Sequence, residues 1–139
     1  MSENPHSASK LLVVHLATFE KTGGAAIAAW RLHEGLRVSG VKSRMVTRFR
    51  SSECCDVSCI SSDTFRAIDF FHKHRVTAKQ PPGGGYFSFA SVSVPLMDHP
   101  WIAAADVVHL HWIAHFICPE DIQALYKAGK TVFMSLHAE

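Results

Sequence analysis

The sequence predicts an α/β domain built on a mostly parallel sheet with helices on both faces. Apolar runs of strand length alternate with amphipathic stretches of helix length. Glycines stand where a strand hands over to a helix or a helix to a strand, at Gly23-Gly24, Gly40 and Gly129. The third and fourth core strands have near-continuous apolar centres, as strands covered on both sides do.

The first strand is read at Lys10 to Ala17, a continuous apolar run. Thr18 to Gly24 breaks it with polar residues. Beyond the paired glycines, Ala25, Ala28, Ala29, Leu32 and Leu36 recur at helical spacing, and the small residues would let this helix lie close to a sheet. Trp30, His33, Glu34 and Arg37 fall on its other faces, and Gly40 suits its C-terminal end. Ser43 to Arg48 forms the second strand, completing a βαβ unit. Arg50 to Ser62 is polar, with at most a short strand near Val57 to Ile60. Asp63 is placed to cap a helix running to about Ala78, which Pro81-Pro82-Gly83-Gly84-Gly85 must end before a long loop. Ala105 to Trp112 is the third core strand. Pro119 stands at a first helical position with Glu120 and Asp121 behind it, and Gly129 and Lys130 close that helix. Thr131 to His137 is the last strand.

With 139 residues, 47% hydrophobic and 19% charged, the chain is one ordinary domain or a large piece of one. A chain of this size buries roughly two thirds of its unfolded surface and needs no disulfide or metal to hold its core. The net charge of +2 is dispersed, so the footprint of a nucleic-acid binder is absent and no nucleic-acid partner is expected. No apolar run has the length of a transmembrane helix, and residues 1–9 form a polar tail unlike a secretory signal, which points to the cytoplasm. Cys54, Cys55, Cys59 and Cys118 follow no disulfide framework and read as reduced thiols; the first three are poorly spaced for zinc. No Gly-x-Ser-x-Gly elbow appears, and the first strand ends without the acidic residues of a phosphate-accepting receiver domain.

In parallel sheets, ligands gather beyond the carboxyl ends of the strands. That rule selects the loop ending in Gly23-Gly24, the turn after His111 and the turn after His137. Paired glycines opening a helix offer backbone N–H groups and a positive dipole to a phosphate, or merely allow a tight turn and close packing. His109 and His111 point to the same face of their strand, and His115 follows in the turn. They admit a metal reading, a structural hydrogen-bonding reading or, for His111, contact with a sugar hydroxyl or phosphate. His109 reads as packing. His33, His72 and His74 read as helix-surface residues, while His15 and His99 lack a partner pattern. Convergence of Gly23-Gly24, His111 and His137 on one cleft is the site this spacing favours.

The run Gly23-Gly24-Ala25-Ala26-Ile27-Ala28-Ala29-Trp30-Arg31-Leu32-His33-Glu34-Gly35-Leu36 with Gly40-Val41-Lys42-Ser43 is followed by Ala105-Asp106-Val107-Val108-His109-Leu110-His111-Trp112. Gly129-Lys130-Thr131-Val132 and Leu136-His137-Ala138-Glu139 complete the pattern. Together these segments resemble the N-terminal half of family 4-like retaining glycosyltransferases, which are nucleotide-sugar-dependent and of two-Rossmann-domain (GT-B type) architecture. The resemblance implies a Rossmann-like, acceptor-side domain over residues 10–139 that is incomplete at its C-terminus. It implies a nucleotide sugar as donor, and as acceptor a glycan or lipid-linked sugar, the latter compatible with peripheral association at a membrane. Gly23 and Gly24 would approach the donor diphosphate, His111 would contact the transferred sugar as the catalytic residue, and His137 and Trp112 would line the cleft. No metal or other cofactor is expected. The donor-binding second domain is lacking, so the isolated chain is expected to be inactive unless another chain supplies that half. The alternative is a non-catalytic module binding a nucleotide, glycan or protein.

Overall fold

The computed structural model describes residues 11–60, 62–71, 74 and 94–136. Five parallel strands form one sheet: β1 (Leu12–Phe19), β2 (Lys42–Phe49), β3 (Val57–Cys59), β4 (Val107–Leu110) and β5 (Thr131–Met134), in the spatial order β3-β2-β1-β4-β5. The helices are α1 (Gly24–Val38), α2 (Ser62–Phe71), α3 (Pro100–Ala104), preceded by a 3₁₀ turn at Leu96–Asp98, and α4 (Pro119–Lys127). This is an α/β Rossmann-like arrangement, and the predicted fold class holds. The polar tail, the glycine-rich stretch around residues 81–85, His72 and His137 lie outside the described residues.

Alternation along the strands sorts the interior into two layers. Val14 and Leu16 of β1, Val46 of β2, and Val108 and Leu110 of β4 face one way. There they meet Phe65 of α2, Leu96, Ile102 of α3 and Leu125 of α4 in the main core. The other face carries Met45, which packs with Val57 and with Ala29 of α1. Helices therefore cover both faces.

Local chemistry explains the element ends. Gly23 precedes α1 at φ +90°, a conformation closed in practice to residues with a Cβ. Gly40 and Gly129 follow α1 and α4 at φ +88° and +82°. Pro119 opens α4, where the Asp121 carboxylate accepts the Cys118 backbone N–H at 3.0 Å and the Cys118 thiol at 3.2 Å. Burial pushes that thiol's pKa up to about 11, and all four cysteines are free thiols.

Three expectations change. The buried face of α1 is Ala26, Ala29 and His33; Leu32 is exposed, as is Ala28. His33 is therefore inside, held by a hydrogen bond with the Ser43 hydroxyl at 2.8 Å, and not on the helix surface. Ser62 is already helical, which puts Asp63 in the first turn of α2 instead of at its cap. His99 has partners after all: its Nδ1 accepts the Trp101 N–H at 3.1 Å, capping α3, and its Nε2 shares a hydrogen bond with Ser58 at 2.9 Å.

Candidate functional site

Because β2 lies on one side of β1 and β4 on the other, the chain leaves β1 and β4 in opposite directions, and the crevice at their carboxyl ends is the topological switch point. The glycine loop follows β1 there, and His111 and Trp112 follow β4. Thr18 joins the two. Its backbone N–H donates to the Trp112 carbonyl at 2.8 Å, and its hydroxyl donates to the carbonyls of Trp112 at 3.1 Å and Ala114 at 2.7 Å. The loop of Gly23 and Gly24 and the turn of His111 and Trp112 thus leave neighbouring strands at the same edge of the sheet, whereas His137 falls outside the described residues.

Further ties hold that rim. Glu20 is buried, and its carboxylate accepts the Ser51 N–H at 2.6 Å and the hydroxyls of Ser51 and Ser52 at 2.5 Å each, fastening the loop after β1 to the loop after β2. Burial opposes its ionisation, but these bonds prevail and hold its pKa below the ordinary value. Buried Arg48 pairs with Asp69 of α2 and donates to the His115 carbonyl at 2.7 Å, bracing a turn in which His115 has φ +60°. Thr18, Glu20 and Arg48 escaped the sequence reading. Their only trace is polarity at strand ends, where long-range partners cannot be read.

Around the glycine loop, α1 starts with no side-chain cap and no acidic residue in its first turn. A Cβ built on Gly24 meets nothing within 4 Å, so close packing against the protein does not account for this glycine. Lys21 lies over the Trp30 ring at 4.1 Å, adding a cation beside the loop.

Below the rim, on the α1 side of the sheet, histidines gather. His15 and His109 are register partners across β1 and β4. His15 Nδ1 shares a hydrogen bond with His111 Nε2 at 3.0 Å, and His15 Nε2 shares one with Ser43 Oγ at 3.0 Å, which also binds His33. His109 and His111 stack with ring centroids 4.1 Å apart, and His109 Nε2 lies 2.7 Å from Ser135 Oγ. His109 thus does more than pack, and His15, which lacked a visible partner in the sequence, is the hub. Burial first, then repulsion from His111, His109 and His33, lowers the His15 pKa to about 3, so the ring is neutral near pH 7. Burial likewise lowers that of His33. Among the described residues, the grouping with metal-ligating geometry is His15, His109 and His111. The third imidazole is thus His15 of the neighbouring strand and not His115 of the following turn.

The chain matches no protein-family model, no curated protein and no solved structure.

Proposed function

We propose that this chain is the acceptor-side domain of a family 4-like, GT-B-type glycosyltransferase, which transfers a sugar from a nucleotide donor to a glycan or lipid-linked acceptor. The observation that carries the reading is the Thr18 clasp, which ties the end of β1, from which the chain runs on to the glycine loop, to the turn after β4 at the switch point of the sheet. On this reading the uncapped first turn of α1 and Lys21 receive the donor diphosphate through backbone N–H groups and charge, without a metal. Gly24 keeps that approach open, since nothing of the protein occupies the space above it. His111 meets the transferred sugar, and Trp112 lines the cleft. The nucleotide-holding half of the enzyme completes the site.

A second reading, a binding module without chemistry, draws on the burial of His111, which at 4% exposure presents little of its ring to a ligand. Calorimetric titration of nucleoside diphosphates and their sugars into the chain tests for the donor site, with Gly24→Val as the variant that blocks the backbone approach. Binding lost in Gly24→Val supports the diphosphate assignment, and its absence from wild type removes it. In an assembly competent for transfer, His111→Ala lowers turnover by orders of magnitude while nucleotide binding survives. Undiminished turnover would return His111 to a structural role and favour the module.

A further inference from the structure

A layer between a sheet and a helix is ordinarily apolar, and beside Ala29, Met45 and Val57 this one is. Next to them it instead holds imidazoles. His15 and His109 face each other across β1 and β4, His111 points to the same side two residues further on, and one ring nitrogen from each lies within 4.8 Å of the other two. We propose that His15, His109 and His111 form a binding site for a divalent transition metal of the zinc class, independent of the donor-phosphate assignment.

Neutral imidazole is a good ligand for zinc, cobalt, nickel and copper, and a poor one for magnesium or calcium. A tetrahedral ion with bonds of about 2.0–2.1 Å holds neighbouring donor atoms about 3.3 Å apart. His15 Nδ1 and His111 Nε2, at 3.0 Å, are within a small side-chain adjustment of that separation. An ion between them replaces their mutual hydrogen bond, and the shared proton moves to a far ring nitrogen, so the ligands stay neutral.

The surroundings suit this role. Serine oxygens brace two of the rings, Ser43 at Nε2 of His15 and Ser135 at Nε2 of His109. Bracing of this kind fixes ring orientation and tautomer at histidine–metal sites. His109 is only partly buried and lies beside Phe133 of β5, which is 56% exposed, so an ion approaches from the β5 side. Three protein ligands leave a fourth position for water or an anion. Occupancy engages the ring that the glycosyltransferase reading gives to the sugar, so there the ion acts as an inhibitor and not as a cofactor.

The test is titration of the metal-free chain with Zn²⁺ and Co²⁺, followed by calorimetry and by the visible absorption of Co²⁺. The expected result is uptake of one equivalent with the intense visible bands of tetrahedral Co²⁺. Binding falls about 100-fold or more in His15→Gln and His109→Gln, about 10–100-fold in Ser43→Ala, and is unchanged in His99→Gln. X-ray absorption of the zinc-loaded wild type, expected to count three imidazoles, needs no variant and decides the matter if a substitution unfolds the chain. No uptake, or an ion carrying fewer than three imidazoles, overturns the site. Nucleotide titration reads the glycine loop separately, so failure of either assignment leaves the other intact.

Discussion

His15 Nδ1 lies 3.0 Å from His111 Nε2, although 96 positions separate the two residues in the chain. The contact exists because β1 and β4 are parallel neighbours with His15 opposite His109, and His111, two residues beyond His109, points to the same face, where its ring meets that of His15. From His15 the hydrogen bonds continue through Ser43 to His33, linking the rim of the sheet to α1. Every member of that chain is buried.

Acid should therefore unfold the metal-free protein early. His15 titrates near 6.5 when unfolded and about 3 when folded, so the unfolded state binds the extra proton between those values. Stability from this ring is complete above pH 6.5 and declines as pH falls toward 3. At pH 5 the loss from His15 alone is about 2 kcal/mol, with His33 shifting in the same direction. Urea unfolding at pH 8, 6.5 and 5 measures it, and His15→Gln should flatten the profile.

The two glycines of the loop should respond differently to alanine. Gly23 sits at φ +90°, ψ 163°, and Gly23→Ala should cost about 1–3 kcal/mol. Gly24 is within α1 with open space around its missing Cβ, and Gly24→Ala should be stabilising by about 0.4–1 kcal/mol. Thermal denaturation of the pair checks the contrast.

Thr18→Val keeps the shape of the side chain and removes the hydroxyl that the carbonyls of Trp112 and Ala114 accept. A stability loss of about 1–2 kcal/mol is expected, with faster amide exchange in the turn after β4. Exchange unchanged there would show that the backbone bond from the Thr18 N–H holds the turn unaided.

Glu20→Gln replaces a carboxylate whose two oxygens take three hydrogen bonds, and the amide can offer only one oxygen to those donors. A loss of about 1–3 kcal/mol is expected at pH 7. The folded pKa of Glu20 is depressed, so its contribution is present above its unfolded value of 4.5 and fades below it. The difference between wild type and variant should shrink at low pH by the same measure.

The order and type of the elements, save α3 and the 3₁₀ turn before it in a stretch that reads as loop, were legible in the sequence because they rest on local chemistry. Apolar runs at β1, β4 and β5, glycines at Gly23, Gly40 and Gly129, and Pro119 at the head of α4 each act within a few residues of themselves. That the turns after β1 and β4 share one edge was legible to the same extent, since a parallel sheet sends every strand's carboxyl end to that edge. Tertiary structure alone chose the face of α1. Alanines run around that helix, so two faces are nearly equal in hydrophobicity, and burial went to Ala26, Ala29 and His33, where close contact with the sheet is joined by the bond to Ser43. It also made His15 the centre of the polar cluster, because strand register is a relation between distant segments that neither segment carries in its own pattern.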